Sequence, residues 1–251
     1  MRITGNTILI TGGGSGIGKA LAEKFHGLGN TVIIAGRNPA TLAAVVAENP
    51  GMASMTFDVG DAASIERFAS ALIAEHPGLN VVLNNAGIMQ LEDMTKAPAN
   101  LATAEQTIAT NLLGPIRLTS ALLPHLLAQP ASAVLMVSSG LAFVPMAATP
   151  TYSATKAAIH SYAMALRHQL KETSVEVIEI APPYVQTELQ GAYQASDPNA
   201  MPLAAFTDEV MDILGTSPAL PEVIVGYCKP LRFAVENGNF DQMFAAVNTP
   251  H

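Results

Sequence analysis

Tyr152 and Lys156 stand four residues apart, a spacing that puts both side chains on one face of a helix. Ser139 precedes Tyr152 by 13 residues, at the end of an apolar, strand-like run. A phenol, an ammonium and a hydroxyl that converge can give a proton to a carbonyl oxygen or take one from an alcohol. A free tyrosine, with a pKa of about 10, is a poor base at neutral pH. Lys156, one helical turn away, is expected to lower that value by placing a positive charge nearby. Ser139 would hold the reacting oxygen and stabilise charge that develops on it. Without Ser139 and Lys156, Tyr152 would read equally well as a half-buried aromatic at a helix start.

The positioning elements follow from the hydrophobic pattern. Short runs rich in Val and Ile, apolar on both sides, read as strands covered on both faces: 7–10, 31–35, 55–57, 81–83, 133–137, 175–180 and 223–226. Helical patterns fill the gaps at 18–27, 40–47, 64–75, 102–129 and 152–171. Alternating strand and helix predicts a parallel sheet with right-handed crossovers, an α/β doubly wound fold of Rossmann type. No linker or repeat divides the 251 residues, so a single domain over 1–251 is expected. Residues 186–221 break the rhythm with Gly191, Pro198, Pro202 and Pro218 and one helical stretch near 206–214. They read as a substrate-binding loop or lid, or as a surface insertion.

A net charge of −8 argues against nucleic acid or an anionic membrane as the main partner. One cysteine, Cys228, permits no intrachain disulfide and no cysteine metal cluster. The histidines lack metal-site spacing; His160 and His168 read as packing or helix-surface residues, and no metal is expected. No signal peptide or spanning segment is read, which leads to the expectation of a soluble, cytoplasmic protein.

The first strand ends in Thr11-Gly-Gly-Gly-Ser-Gly-Ile-Gly18. Gly12, Gly16 and Gly18 would let the backbone turn tightly and bring a pyrophosphate to a helix N-terminus. At the end of the second strand, a carboxylate would hold the ribose 2′-OH of NAD. This chain has Gly36-Arg37-Asn38 there, and arginine can fork onto a 2′-phosphate. NADP(H) is therefore expected over NAD(H); the alternative is a solvated arginine opening a helix. Asp58 and Val59 follow the third strand, where an adenine ring could lie. Asn84-Asn85-Ala86-Gly87 follows the fourth: Asn84 is expected to brace neighbouring strands, and Ala86 and Gly87 to leave room for ribose.

These segments together resemble the short-chain dehydrogenase/reductase family. TGxxxGxG, NNAG, Ser139, YxxxK and Pro182-Pro-Tyr-Val-Gln-Thr187 occur in the family's order and spacing, from the first strand to Thr187. Length and motif context are similar to the compact, single-domain branch rather than to the extended branch of epimerases and dehydratases. The resemblance implies cofactor contacts from Gly14, Ser15, Ile17, Asn85, Pro182, Val185 and Thr187, with Lys156 on the nicotinamide ribose. It also implies that Asn111 links Lys156 to bulk solvent through a water. The chain adds a physical reason: residue 115 is proline, so the Asn111 carbonyl loses its helical N–H partner. The chain departs from the family at Pro183, where the family carries glycine.

Leu141, Phe143 and Tyr184 are expected to join Ser139 and Tyr152 around the substrate, with no basic clamp for an anion. The implied activity is hydride transfer between NADP(H) and an uncharged, fairly hydrophobic ketone, aldehyde or secondary alcohol. A non-catalytic NADP-binding redox sensor is the alternative, against which the intact Ser139, Tyr152 and Lys156 argue. Ala154, Ala158, Ser161 and Ala165 share one side of the Tyr152 helix. In the family that helix often meets a partner subunit, which implies a homodimer or homotetramer.

Overall fold

The computed structural model describes residues 1–98, 101–216 and 220–249. Strands β1 (Thr7–Thr11), β2 (Thr31–Gly36), β3 (Ala53–Thr56), β4 (Leu79–Asn84), β5 (Ser132–Val137), β6 (Val175–Ile180) and β7 (Glu222–Val223) form one sheet. All pairs are parallel, in the order β3-β2-β1-β4-β5-β6-β7. The crossovers carry α1 (Gly16–Gly27), α2 (Pro39–Glu48), α3 (Ala62–Glu75), α4 (Leu101–Ile108), α5 (Gly114–Leu127), α6 (Pro150–Leu170) and α7 (Leu203–Thr216). Short helices α8 (Lys229–Arg232) and α9 (Phe240–Asn248) follow β7.

Successive strand residues feed opposite layers, which is why the strands are apolar throughout. Ile8 and Ile10 pack with Leu21, Phe25, Phe206 and Val210 on one face. Leu9 packs with Phe68, Leu118, Leu122 and Ile159 on the other. The chain winds outward from β1 to β3, then returns to β4 beside β1. That reversal opens a crevice at the strands' C-terminal ends, where all the motif loops gather. No helix among the described residues is long and apolar enough to cross a membrane.

Three elements differ from the sequence reading. The helix expected over 102–129 is broken by a π-helical turn at Ala109–Leu113, where the Gly114 N–H reaches back five residues to the Ala109 carbonyl. Pro115 has no N–H to continue the α-helical ladder. The strand expected at 223–226 is only Glu222–Val223. Its partner β6 leads into Pro182-Pro183, which have no N–H to extend the ladder. The third strand ends at Thr56, before Phe57.

The segment after Thr187 is tied down over its described part. Gln194 donates to the Val185 carbonyl at 2.7 Å and to Thr187 Oγ1 at 3.1 Å, and accepts from the Gln190 N–H at 2.9 Å. Val185 and Met201 form a parallel bridge, after which α7 extends the expected helix to 203–216. Residues 217–219 of this segment, with Pro218, lie outside the described residues.

Candidate active site

The glycine turn is packed too tightly for side chains. Gly12 has φ +69, and a β-carbon there would lie 2.9 Å from Asn85 Nδ2. A β-carbon at Gly18 would lie 2.3 Å from the Gly12 carbonyl oxygen, so Gly18 lets α1 close onto the turn. The buried Thr11 hydroxyl accepts from the Asn85 and Ala86 N–H groups, both at 3.0 Å. The Asn85 amide donates to the Thr11 carbonyl at 3.0 Å. The β1–β4 brace thus falls on Asn85 and Thr11. Asn84, assigned that role from sequence, instead donates to Thr119 of α5 at 3.2 Å, because alternate residues leave a strand on opposite faces.

Ser139, Tyr152 and Lys156 converge at the buried end of the crevice. Tyr152 is hydrogen-bonded to Ser139, whose Oγ also accepts from the Leu141 N–H at 3.1 Å. The Lys156 ammonium donates to the Val137 carbonyl at 2.9 Å and lies 5.5 Å from the centre of the Tyr152 ring. Burial pushes the Tyr152 phenol up to about 12, and the Ser139 hydrogen bond works the other way. The expected lowering by Lys156 is absent from this balance: taking the phenolate out of water outweighs its neighbours. Burial pushes Lys156 down to about 8, while the charge of Glu179 pulls it up.

Asn111 is buried in the π-helical turn. Its side chain accepts from the Ile88 N–H and donates to the Ile88 carbonyl, both at 2.8 Å, and reaches Thr155 Oγ1 at 3.4 Å. A β-carbon at Gly87 would sit 3.4 Å from Asn111 Oδ1 and 3.8 Å from Lys156 Nζ. Gly87 therefore marks the gap where Asn111 and Lys156 approach each other.

The crevice holds about 860 Å³. Gly12, Gly14, Ser15, Gly16, Ile17, Arg37, Asn38 and Val59 line one end; Asn85, Ala86 and Gly87 the middle; Ser139, Tyr152, Lys156, Pro182, Pro183, Val185 and Thr187 the other end. Exposed Arg37 makes no ion pair or side-chain hydrogen bond among the described residues, and Asn38 also caps α2 through the Ala40 N–H at 3.0 Å.

Six expected site residues are not part of this lining: Gly18 and Asn111 stand behind it, as described above, and four others turn away. Asp58 turns its carboxylate to the Gly60 N–H at 2.8 Å, and its neighbours Phe57 and Val59 face the crevice instead. Leu141 lies beyond the serine turn. Phe143 packs edge-on against His160 at 4.8 Å and under Arg232 at 4.8 Å. Tyr184 points its hydroxyl at Asp197, 3.0 Å away.

Sequence reasoning passed over Thr11, Met89, Gln90, Gln194 and Leu203, which brace or line the crevice. Thr11 was legible as part of the glycine motif; the others have no local signature. His160 is not a bystander, since it hydrogen-bonds the fully buried Glu179 at 2.8 Å.

The comparisons agree with this geometry. The family model for short chain dehydrogenase matches residues 6–198. The uncharacterized oxidoreductase DltE of Bacillus subtilis (strain 168) is 40% identical over 252 residues, covering 99% of each chain. The closed form of a serine dehydrogenase complexed with NADP+ matches with a TM-score of 0.77 and 26% identity, over 86% of this chain and 92% of that one. A short-chain dehydrogenase/reductase from Burkholderia phymatum, in complex with NAD, shares the fold at a TM-score of 0.83 and 19% identity, over 100% of this chain and 98% of that one. With fold, crevice and family model in agreement, the chain belongs to the short-chain dehydrogenase/reductase family and is an oxidoreductase of that type.

Proposed function

We propose that the protein transfers hydride between NADP(H) and an uncharged, fairly hydrophobic ketone, aldehyde or secondary alcohol. The observation that carries this reading is the convergence of buried Tyr152, Ser139 and Lys156 at one end of a dinucleotide-sized crevice. The residues present fit a nicotinamide dinucleotide. Gly12 and Gly18 leave no room for side chains where a pyrophosphate approaches, and Gly87 leaves space beside Lys156. Arg37 stands where a 2′-phosphate is read, with Gly36 in place of a carboxylate. A bound nicotinamide supplies or accepts the hydride.

The protein's own groups manage the proton and the oxygen. In reduction, neutral Tyr152 gives its proton to the substrate oxygen, and Ser139 donates a hydrogen bond to the same oxygen as charge gathers there. Lys156 holds the cofactor ribose and restores the Tyr152 proton, with Asn111 as its link toward solvent. Lys19, Arg37 and Lys156 are the cations lining the crevice among the described residues. None lies at the substrate end beside Met89, Pro183 and Leu189 except Lys156, which supports an uncharged substrate. A cytoplasmic site of action fits the single buried cysteine.

We also propose self-association through α4 and α6. Ala154, Ser161, Ala165 and Met164 are exposed on α6, next to an apolar groove of about 620 Å³ that includes Leu101, Ile108 and Ala154.

The test is turnover of a panel of apolar ketones, followed by NADPH and NADH absorbance. The expected result is oxidation of NADPH that Tyr152→Phe abolishes. Arg37→Ala should raise the KM for NADPH about tenfold or more and spare NADH, as loss of a charge-assisted fork requires. Equal rates with NADH in the parent would refute the Arg37 assignment. Tight cofactor binding with no turnover across the panel would favour the redox-sensor reading.

A further inference from the structure

Behind the active site lies a polar cluster that the mechanism above does not use. Glu179 sits in β6 at 0% exposure. One carboxylate oxygen accepts a short hydrogen bond from the Ser138 hydroxyl. The other meets His160 Nδ1 at 2.8 Å. A carboxylate taken wholly out of water needs such partners, and a buried one is costly enough to call for a role.

Its placement supplies that role. Ser138 stands between Val137, whose carbonyl receives the Lys156 ammonium, and Ser139, which is hydrogen-bonded to Tyr152. Gripping Ser138 therefore fixes two points of the catalytic arrangement at once. His160 lies one helical turn beyond Lys156 on α6, so the helix that carries the tyrosine and the lysine is held by the same carboxylate.

The surroundings of Glu179 are specific. The turn after β5 presents Ser138, α6 presents Lys156 and His160, and the 226–228 turn presents Cys228. β7 contributes Glu222, opposite Glu179 in register, and α8 contributes Arg232. His160, Glu179 and Glu222 bring donor atoms within 4.8 Å of one another, a grouping that could suggest a metal. However, Arg232 takes both Glu222 oxygens at 2.7 and 3.3 Å, and both Glu179 oxygens are engaged. The cluster is closed by hydrogen bonds. Burial pushes the Cys228 thiol up to about 12, with Glu179 adding to the rise, so the thiol stays neutral and adds no charge.

We propose that Glu179, held by His160, is a positioning residue of the hydride-transfer site, gripping the Val137–Ser139 turn and providing the buried negative charge that acts on Lys156. This rests on the hydride-transfer reading. Its physical content is that burial drives the Lys156 ammonium toward giving up its proton and the Glu179 carboxylate opposes that loss. Removing an anion from a cation's surroundings lowers the pH at which the cation gives up its proton.

The test is titration of Lys156 by NMR in protein labelled at the lysine ε-carbons, with the signal assigned by its loss in Lys156→Arg. In Glu179→Gln, which keeps the size and one acceptor oxygen but turns the other oxygen into an N–H donor, the Lys156 midpoint should fall by about one pH unit. The alkaline limb of kcat/KM for reduction should move with it. Glu179→Asp keeps the charge and should keep the midpoint, which a merely structural role would not predict. Ser138→Ala keeps the charge and loses the grip, so kcat should fall about tenfold with the midpoint unmoved. An unshifted Lys156 midpoint in Glu179→Gln overturns the electrostatic role, and a parental kcat in Ser138→Ala overturns the gripping role. The NMR midpoint reads the Glu179–Lys156 coupling without turnover. Absence of any carbonyl reduction by the parent would count against the hydride-transfer reading alone.

Discussion

Tyr152 and Lys156 are moved by burial in opposite directions, and that sets the pH behaviour. Desolvation disfavours the charged form of each, so the phenol rises to about 12 and the ammonium falls to about 8. In the proposed reaction, reduction needs a proton on Tyr152 and a charge on Lys156. Tyr152 keeps its proton well above neutrality, so Lys156 limits. The kcat/KM for reduction should be flat below about pH 8 and then fall about tenfold per unit as a single proton is lost. Stability should run the other way. Lys156 has a lower pKa folded than unfolded, so between about 8 and its ordinary 10.5 the unfolded chain holds a proton the folded one has released. Stability should therefore rise with pH from about 8 to about 9; above its ordinary 9.0 the Cys228 thiol, pushed up to about 12 in the fold, offsets the gain, and above its ordinary 10.0 Tyr152 reverses the trend. Rate profiles and denaturant melts on the same samples check both signs; rate and stability falling together between about pH 8 and 9 would contradict the assignment. The Tyr-Lys pair was readable from spacing because a helix places residues four apart side by side. The His160–Glu179 contact was not readable, because it depends on how α6 lies across β6.

The π-helical turn between α4 and α5 is where local sequence and tertiary contact meet. Pro115 removes a hydrogen bond and announces an irregularity; the sequence alone cannot choose between a kink and an added residue in the turn. Packing chooses. Gly114 presses against Val59, and a β-carbon there would lie 2.5 Å from the Val59 carbonyl oxygen. The turn carries Asn111 to Ile88 and supports a wall of the crevice. Gly114→Ala should therefore cost about 1–3 kcal/mol through overpacking. It should also weaken NADPH binding through Val59, while an alanine in the exposed part of α5 should do neither. Thermal melts and a fluorescence titration of NADPH separate these outcomes; parental values in both would show that the contact has room to give. The same division between local and distant causes explains the rest of the fold. β1, β2, β5 and β6 were legible because apolar runs in a doubly covered sheet have one reading. β7 was overextended because its length depends on the prolines at the end of β6. Phe143 looked like a pocket residue because it follows Ser139, yet Arg232 and His160, brought in from α8 and α6, hold it half-buried against the core.

At the scale of the whole molecule, what remains exposed is as informative as what is buried. The protein carries a net charge of −8, yet the face formed by α4 and α6 is apolar. Leu101 is 60% exposed and Met164 is 51% exposed, beside the small residues Ala154, Ser161 and Ala165. On the small-residue side of α6, Ala154, Ser161 and Ala165 face outward and Ala158 is half-buried, so most of that side is not packed against its own sheet. A helix with its small residues outward allows another helix to approach closely, and a second copy of the same face is self-complementary under two-fold symmetry. An interface of ordinary size takes about 800 Å² from each partner, which two helices and the groove between them can provide. Such an association would also stiffen α6, the helix that carries Tyr152, Lys156 and His160, so assembly and catalysis should be linked. Met164→Glu places a charge on the exposed side of α6 beside Ser161 and Ala165 while leaving the crevice lining untouched. Sedimentation at micromolar concentration should show the parent as a dimer or tetramer and the variant shifted toward monomer, with dimer affinity weakened about a hundredfold by the unpaired buried charge. The variant should also lose thermal stability in a concentration-dependent way that the monomeric species does not share. A parent that sediments as a monomer, or a variant with unchanged mass, would mean that the exposed face of α6 serves no self-association and that the active-site helix is held by its own sheet alone.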